Sequence, residues 1–103
     1  MKSGTKMYTI GDKAYCPTYK EDGAFDRIEE VWVRAVHFMP ARDPDTWYLV
    51  HSKGADSLKP STEVFDTEVD AKRAAYIKVR KLAAAIYDSV RGLKTEINKE
   101  DEK

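Results

Sequence analysis

With 103 residues, the chain has room for one domain and one modest core. Eleven aromatics and 42% hydrophobic residues mark a folding chain, while eighteen basic and eighteen acidic residues cancel to zero net charge. Overall charge therefore draws it to neither nucleic acid nor membrane, and no apolar run approaches the roughly 20 residues of a membrane span.

Residues 1–6 are polar and are expected to fray. A first strand is expected from Met7 to Tyr19, bent at Gly11-Asp12 and confined to an edge at Pro17, which has no N–H to donate. Lys20-Glu21-Asp22-Gly23 reads as a turn, with glycine where positive φ is needed. A run rich in Val, Trp and Phe predicts strand from Ile28 to Met39. The prolines at 40 and 44 break it, Thr46–Ser52 predicts the next strand, residues 53–57 a turn, and Glu63–Phe65 a last short strand. Centring the hairpin on Arg42-Asp43 sets Val36 opposite Val50, Phe38 opposite Tyr48, His37 opposite Leu49 and Met39 opposite Trp47. Both faces are rich in apolar groups, so alternation leaves the core face undecided.

Thr67 opens a helix. Its hydroxyl can cap the first turn, Asp70 stands three residues on in a capping-box arrangement, and Glu68 can pair with Lys72. Gly92 is the expected stop, which places a single domain at 1–94 and a short, charged, disordered tail at 95–103. The fold class is α+β: a small antiparallel sheet, strongly bent or closed into a small barrel, followed by one long helix. Ala71, Ala75, Val79, Leu82, Ile86, Val90 and Leu93 repeat at spacings of three and four, the stripe that packs on the sheet. A helix from Glu68 to Arg91 spans about 36 Å. A 66-residue body is only about 28 Å across, so Ile86, Val90 or Leu93 should overhang, and a second protomer is the simplest cover.

Charge is unevenly placed. Residues 1–66 carry nine basic and eleven acidic side chains, residues 67–94 seven and three, and residues 95–103 two and four. The basic excess thus lies on the helix, where Arg73, Tyr76, Arg80, Tyr87 and Arg91 share a second face. Guanidiniums between tyrosines can grip phosphates or a protein partner, and a plain solvated face accounts for the pattern as well.

The motifs Gly11-Asp12, Glu21-Asp22-Gly23 and Trp32-Val33-Arg34-Ala35-Val36 give residues 10–52 a resemblance to Tudor-type domains of the SH3-like barrel group. Residues 24–31 look like an insertion relative to that family, and its later Asp-Tyr-Gly-like turn is absent. The resemblance implies an SH3-like barrel and a binding role. In the family an aromatic cage holds a methylated Lys or Arg by cation–π attraction. Here Tyr19, Trp32, Trp47 and Tyr48 are the candidates for such a cluster, with core and rim packing as the alternative.

Nothing in the sequence has the spacing of catalysis. His37 and His51 lack ligand-spaced partners, Cys16 before Pro17 reads as a small buried hydrophobe, and no phosphate loop or nucleophile elbow is present. The expectation is a non-enzymatic protein-interaction module without cofactor or metal, a small regulator or inhibitor of a larger complex, with homodimerisation expected. The alternative is an accessory nucleic-acid binder using the basic helix face. A single cysteine and no signal-like apolar stretch lead to the expectation of a cytoplasmic setting.

Overall fold

A computed structural model describes residues 7–101; the expected frayed start and the last two residues of the expected tail lie outside them. Four strands, β1 (Lys13–Tyr19), β2 (Phe25–Phe38), β3 (Thr46–Ser52) and β4 (Ala55–Pro60), are followed by a 3-10 turn, Ser61–Glu63, and one helix, α1 (Glu68–Asp101). The sheet is an antiparallel meander in the order β1-β2-β3-β4.

Local chemistry accounts for its turns. Between β1 and β2, Gly23 takes φ +90°, and the Asp22 carboxylate accepts the Ala24 N–H at 2.9 Å. Between β3 and β4, Lys53 and Gly54 both have positive φ, the twist-matched two-residue hairpin that sets Ser52 opposite Ala55. This tight turn folds residues 55–60 back as β4, where only a longer turn was expected.

β2 is fourteen residues long because it serves two neighbours. Phe25–Trp32 pair with β1 and Trp32–Phe38 pair with β3, so that Trp32 has a strand partner on each side. Most of the stretch 24–31 is the first half of this strand. The β2–β3 pairs are Val36 with Tyr48, His37 with Trp47 and Phe38 with Thr46, two residues from the expected register. The shift is even, so each side chain keeps its expected face. An irregularity between Val33 and Ala35 then leaves Arg34 unpaired and brings Val33 opposite Val50.

The core is small. Tyr8, Ala14, Cys16, Val31, Val33, Tyr48, Val50 and Val64 form one buried cluster. Tyr8 closes it from the segment before β1, which is a turn at Ile10–Gly11 rather than strand. Its ring meets Tyr48 edge-on at 5.5 Å, and its N–H donates to the Tyr48 hydroxyl at 3.2 Å.

The sheet is not closed into a barrel, which corrects the closed form of the expected fold. Where a closing strand was expected, Phe65 alone bridges to Tyr15, with hydrogen bonds of 2.8 and 2.9 Å. Thr67 ends the pairing, because its hydroxyl accepts the Asp70 N–H at 3.1 Å and caps the helix that starts at the next residue.

α1 also departs from expectation. It runs through Gly92 to Asp101, so residues 95–101 of the expected tail are helix. Glycine mid-helix costs about 1 kcal/mol, and no proline follows to enforce a stop. At 34 residues the helix is roughly 51 Å long. The molecule measures 64 × 29 × 28 Å and its radius of gyration is 18.3 Å, against about 13 Å for a compact chain of this length. The helix projects.

Candidate protein-binding surface

The helix docks by its first third alone. Ala71 and Ala75 are buried, Val79 is half-buried, and every residue from Lys81 to Lys99 is exposed. Alanines at the contact let the helix backbone approach the sheet closely. Lys78 ties the docked part down: its ammonium stands 4.3 Å from the Tyr19 ring centroid and 3.9 Å from the Glu63 carboxylate. Burial, with Glu63 nearby, raises the Tyr19 phenol pKa, so that ring is neutral beneath the cation. Leu82 reaches the β1–β2 turn, where a Cβ on Gly23 would lie 2.5 Å from its Cδ2. Past that turn the sheet ends.

The stripe continues without a floor. Ile86, Val90, Leu93 and Ile97 are 53%, 60%, 60% and 57% exposed, and Leu82 at the boundary is 38% exposed. The expected overhang is therefore present and larger than expected, while Leu82 and Ile86, expected in the core, are not. Ile97 extends the same spacing past Gly92, a signal legible in the sequence once the stop is set aside.

At its root the stripe opens into an apolar groove of about 440 Å³ between Phe25 and the helix residues Ala75, Val79 and Ala83, with Lys72, Tyr76 and Arg80 at its rim. Phe25 was not among the expected site residues because it lies in the stretch read as an insertion. A second groove of about 400 Å³ lies on the other flank, between Pro17, Tyr19 and Phe65 on one side and Ala74 and Ile77 on the other.

The second expected helix face is also on the surface. Arg80 lies 5.9 Å from the Tyr76 ring centroid and Arg91 5.7 Å from that of Tyr87. Arg91 meets Asp88 at 3.3 Å and Arg73 meets Asp70 at 3.9 Å, so both guanidiniums have acidic neighbours within the helix. Lys72, Arg73, Lys78, Arg80 and Lys81 make a basic run without an acid between them.

The four aromatic candidates do not gather. Tyr48 is 1% exposed and belongs to the core face, and Trp47, next in sequence, has the opposite face. Trp32 shares that outer face and pairs with His51, four residues along β3 from Trp47, so the two indoles stand about 13 Å apart along the strand. Trp47 is held by the loop before it: its Nε1–H donates to the Pro44 carbonyl at 2.8 Å, and Arg42 lies 5.8 Å from its ring. Tyr19 lies under Lys78 at the end of β1.

The reactive side chains are occupied structurally. Cys16 has no exposed surface, and burial pushes its thiol up to about 12. His51 Nδ1 lies 2.7 Å from Asp56 Oδ1 across the β3–β4 pair. Among the described residues no three His, Cys, Asp or Glu side chains are placed to hold a metal ion, and no helix is long and apolar enough to cross a membrane. The sequence matches no protein-family model, and no curated protein and no solved structure matches it.

Proposed function

We propose that this chain is a non-enzymatic protein-interaction module, a small regulator or inhibitor that works by docking on a protein partner through the projecting part of α1. The observation that carries the reading is the row Ile86, Val90, Leu93 and Ile97, each more than half exposed on a helix end that, among the described residues, lies beyond the sheet. Contiguous apolar surface of this kind marks contact sites on proteins that otherwise fold alone. The resemblance of residues 10–52 to Tudor-type modules, themselves binding domains, points the same way. A cage for a methylated side chain is not part of the proposal, because Tyr48 is spent in the core and the two tryptophans stand apart. The setting under this reading is the cytoplasm, where a single reduced Cys16 is the ordinary state.

The basic helix face supports a second reading, an accessory nucleic-acid binder, through the outward pairs Arg80–Tyr76 and Arg91–Tyr87. It ranks lower because net charge is zero and Arg73 and Arg91 have acidic neighbours. One experiment separates the two. The full chain and Leu93→Asp are used as baits in an extract of the source cells, with and without nuclease. A discrete protein that survives nuclease and is lost with Leu93→Asp is the expected result. Loss of every partner on nuclease treatment favours nucleic acid, in which case Arg73→Ala with Arg80→Ala lowers the salt slope of binding by about two. Equal capture by Leu93→Asp removes the helix stripe as the site.

A further inference from the structure

Resting on that reading, we infer that the partner of the projecting stripe is a second copy of this chain, docked antiparallel with Ile86 at the two-fold axis. The first observation is spacing. Ala75, Val79, Leu82, Ile86, Val90, Leu93 and Ile97 follow one another at intervals of 4, 3, 4, 4, 3 and 4, which read the same in both directions from Ile86. An antiparallel pair centred there sets Ile86 against itself and Leu82 against Val90, and carries Leu93 and Ile97 level with Val79 and Ala75, where the groove beside Phe25 lies open. The repeat is eleven residues, whose drift around a straight helix is only about 20°, so the whole row shares one face.

The second observation is charge. The helix is basic at its root, with five cations and no acid from Lys72 to Lys81, and acidic at its tip, with three acids against Lys99 alone from residue 95 to 101. The antiparallel register brings the second copy's Glu96 near Lys78, and the helical turn that carries residues 100 and 101 level with Lys72. A parallel pair would set cations beside cations and acids beside acids.

The third observation is continuity. The groove beside Phe25 opens where the tip of an antiparallel partner arrives. Its lining of Ala75, Val79 and Ala83 is apolar, and its rim carries Lys72 and Arg80. The second copy's Ile97 suits its apolar lining, and Glu96 is the described acid that approaches this basic end of the helix. Burial of the row also explains how some nineteen helical residues beyond Leu82 are held, since helices of that length in water draw most of their stability from packing.

The test uses the full chain. Sedimentation equilibrium at tens of micromolar should give twice 11.8 kDa. Ile86→Asp should return it to the monomer, weakening association at least about a hundredfold; Ile86 is half exposed and off the sheet, so circular dichroism should keep the sheet signal. Orientation is read with single cysteines, Cys16 being fully buried. Ile86→Cys should cross-link to itself with a bis-maleimide reaching no more than about 10 Å, an interhelix distance. Leu93→Cys should not, because in this register the two sites lie about 21 Å apart along the axis. Equal cross-linking of both variants overturns the antiparallel register. A monomer at every concentration overturns the second copy as occupant: if Ile86→Asp then loses a discrete protein partner, the interaction-module reading stands alone, and if it loses none, both fall.

Discussion

The contact between Gly23 and Leu82 decides where the helix stops being part of the body and starts to project, and a double-mutant cycle across it can be worked out in advance. Gly23→Ala does two things. It places a side chain at φ +90°, a conformation that costs an L-residue about 1–2 kcal/mol. It also sets a methyl 2.5 Å from Leu82 Cδ2, the far end of a flexible side chain that can yield by leaving its rotamer for about 0.5–1.5 kcal/mol. The total is about 1.5–3.5 kcal/mol, a fall in Tm of roughly 6–28 °C for a domain of this size. Leu82→Ala removes a side chain that is 38% exposed, and so forfeits about 1–2 kcal/mol of burial. In the double variant the methyl meets no Cδ2, and only the backbone cost remains. The two changes together should therefore cost about 0.5–1.5 kcal/mol less than the sum of the singles. Urea unfolding followed by circular dichroism, at one low protein concentration so that association does not enter, measures all four corners. A coupling below about 0.3 kcal/mol would mean that Leu82 does not rest on the turn and that the helix leaves the sheet earlier, at Val79.

Two further predictions concern the helix end and the core. Gly92→Ala should raise helicity and stability by up to about 1 kcal/mol, because the helix passes through an exposed Gly92; if circular dichroism shows no gain, the helix ends there after all. The Cys16 thiol should resist a disulfide reagent at pH 8 until the chain is unfolded. Its pKa is raised from 9.0 to about 12 by burial, so below pH 9 both states hold the proton and stability is unaffected. Between pH 9 and 12 the unfolded chain releases a proton that the folded chain keeps, so stability falls as pH rises through that window. Burial also raises the Tyr8 pKa, and in the same direction. Cys16→Ala should lose the thiol's share of the decline, and an unchanged slope in that variant would refute the assignment.

What could be read from the sequence was local. The Lys20–Gly23 turn and the Thr67 cap with Asp70 are decided by residues within four positions of one another, through a glycine at positive φ and a hydroxyl that accepts one N–H. Hydrophobic spacing, likewise, determined that a helix carries an apolar row and that the row outruns a small body. Tertiary structure decided which groups those rows meet. Tyr48 and Trp47 have similar character and alternate along one strand; Tyr48 is core because Tyr8, forty residues away, closes over it. Residues 55–60 have little strand propensity, yet pair with β3 because the Lys53-Gly54 turn delivers them there. Gly92 is a local stop signal overridden by the good helix formers on either side. The division between buried Ala71 and Ala75 and exposed Ile86, Val90, Leu93 and Ile97 is written nowhere in the repeat itself, which is the same along its length. It is set by where the sheet ends, at a turn some sixty residues earlier in the chain.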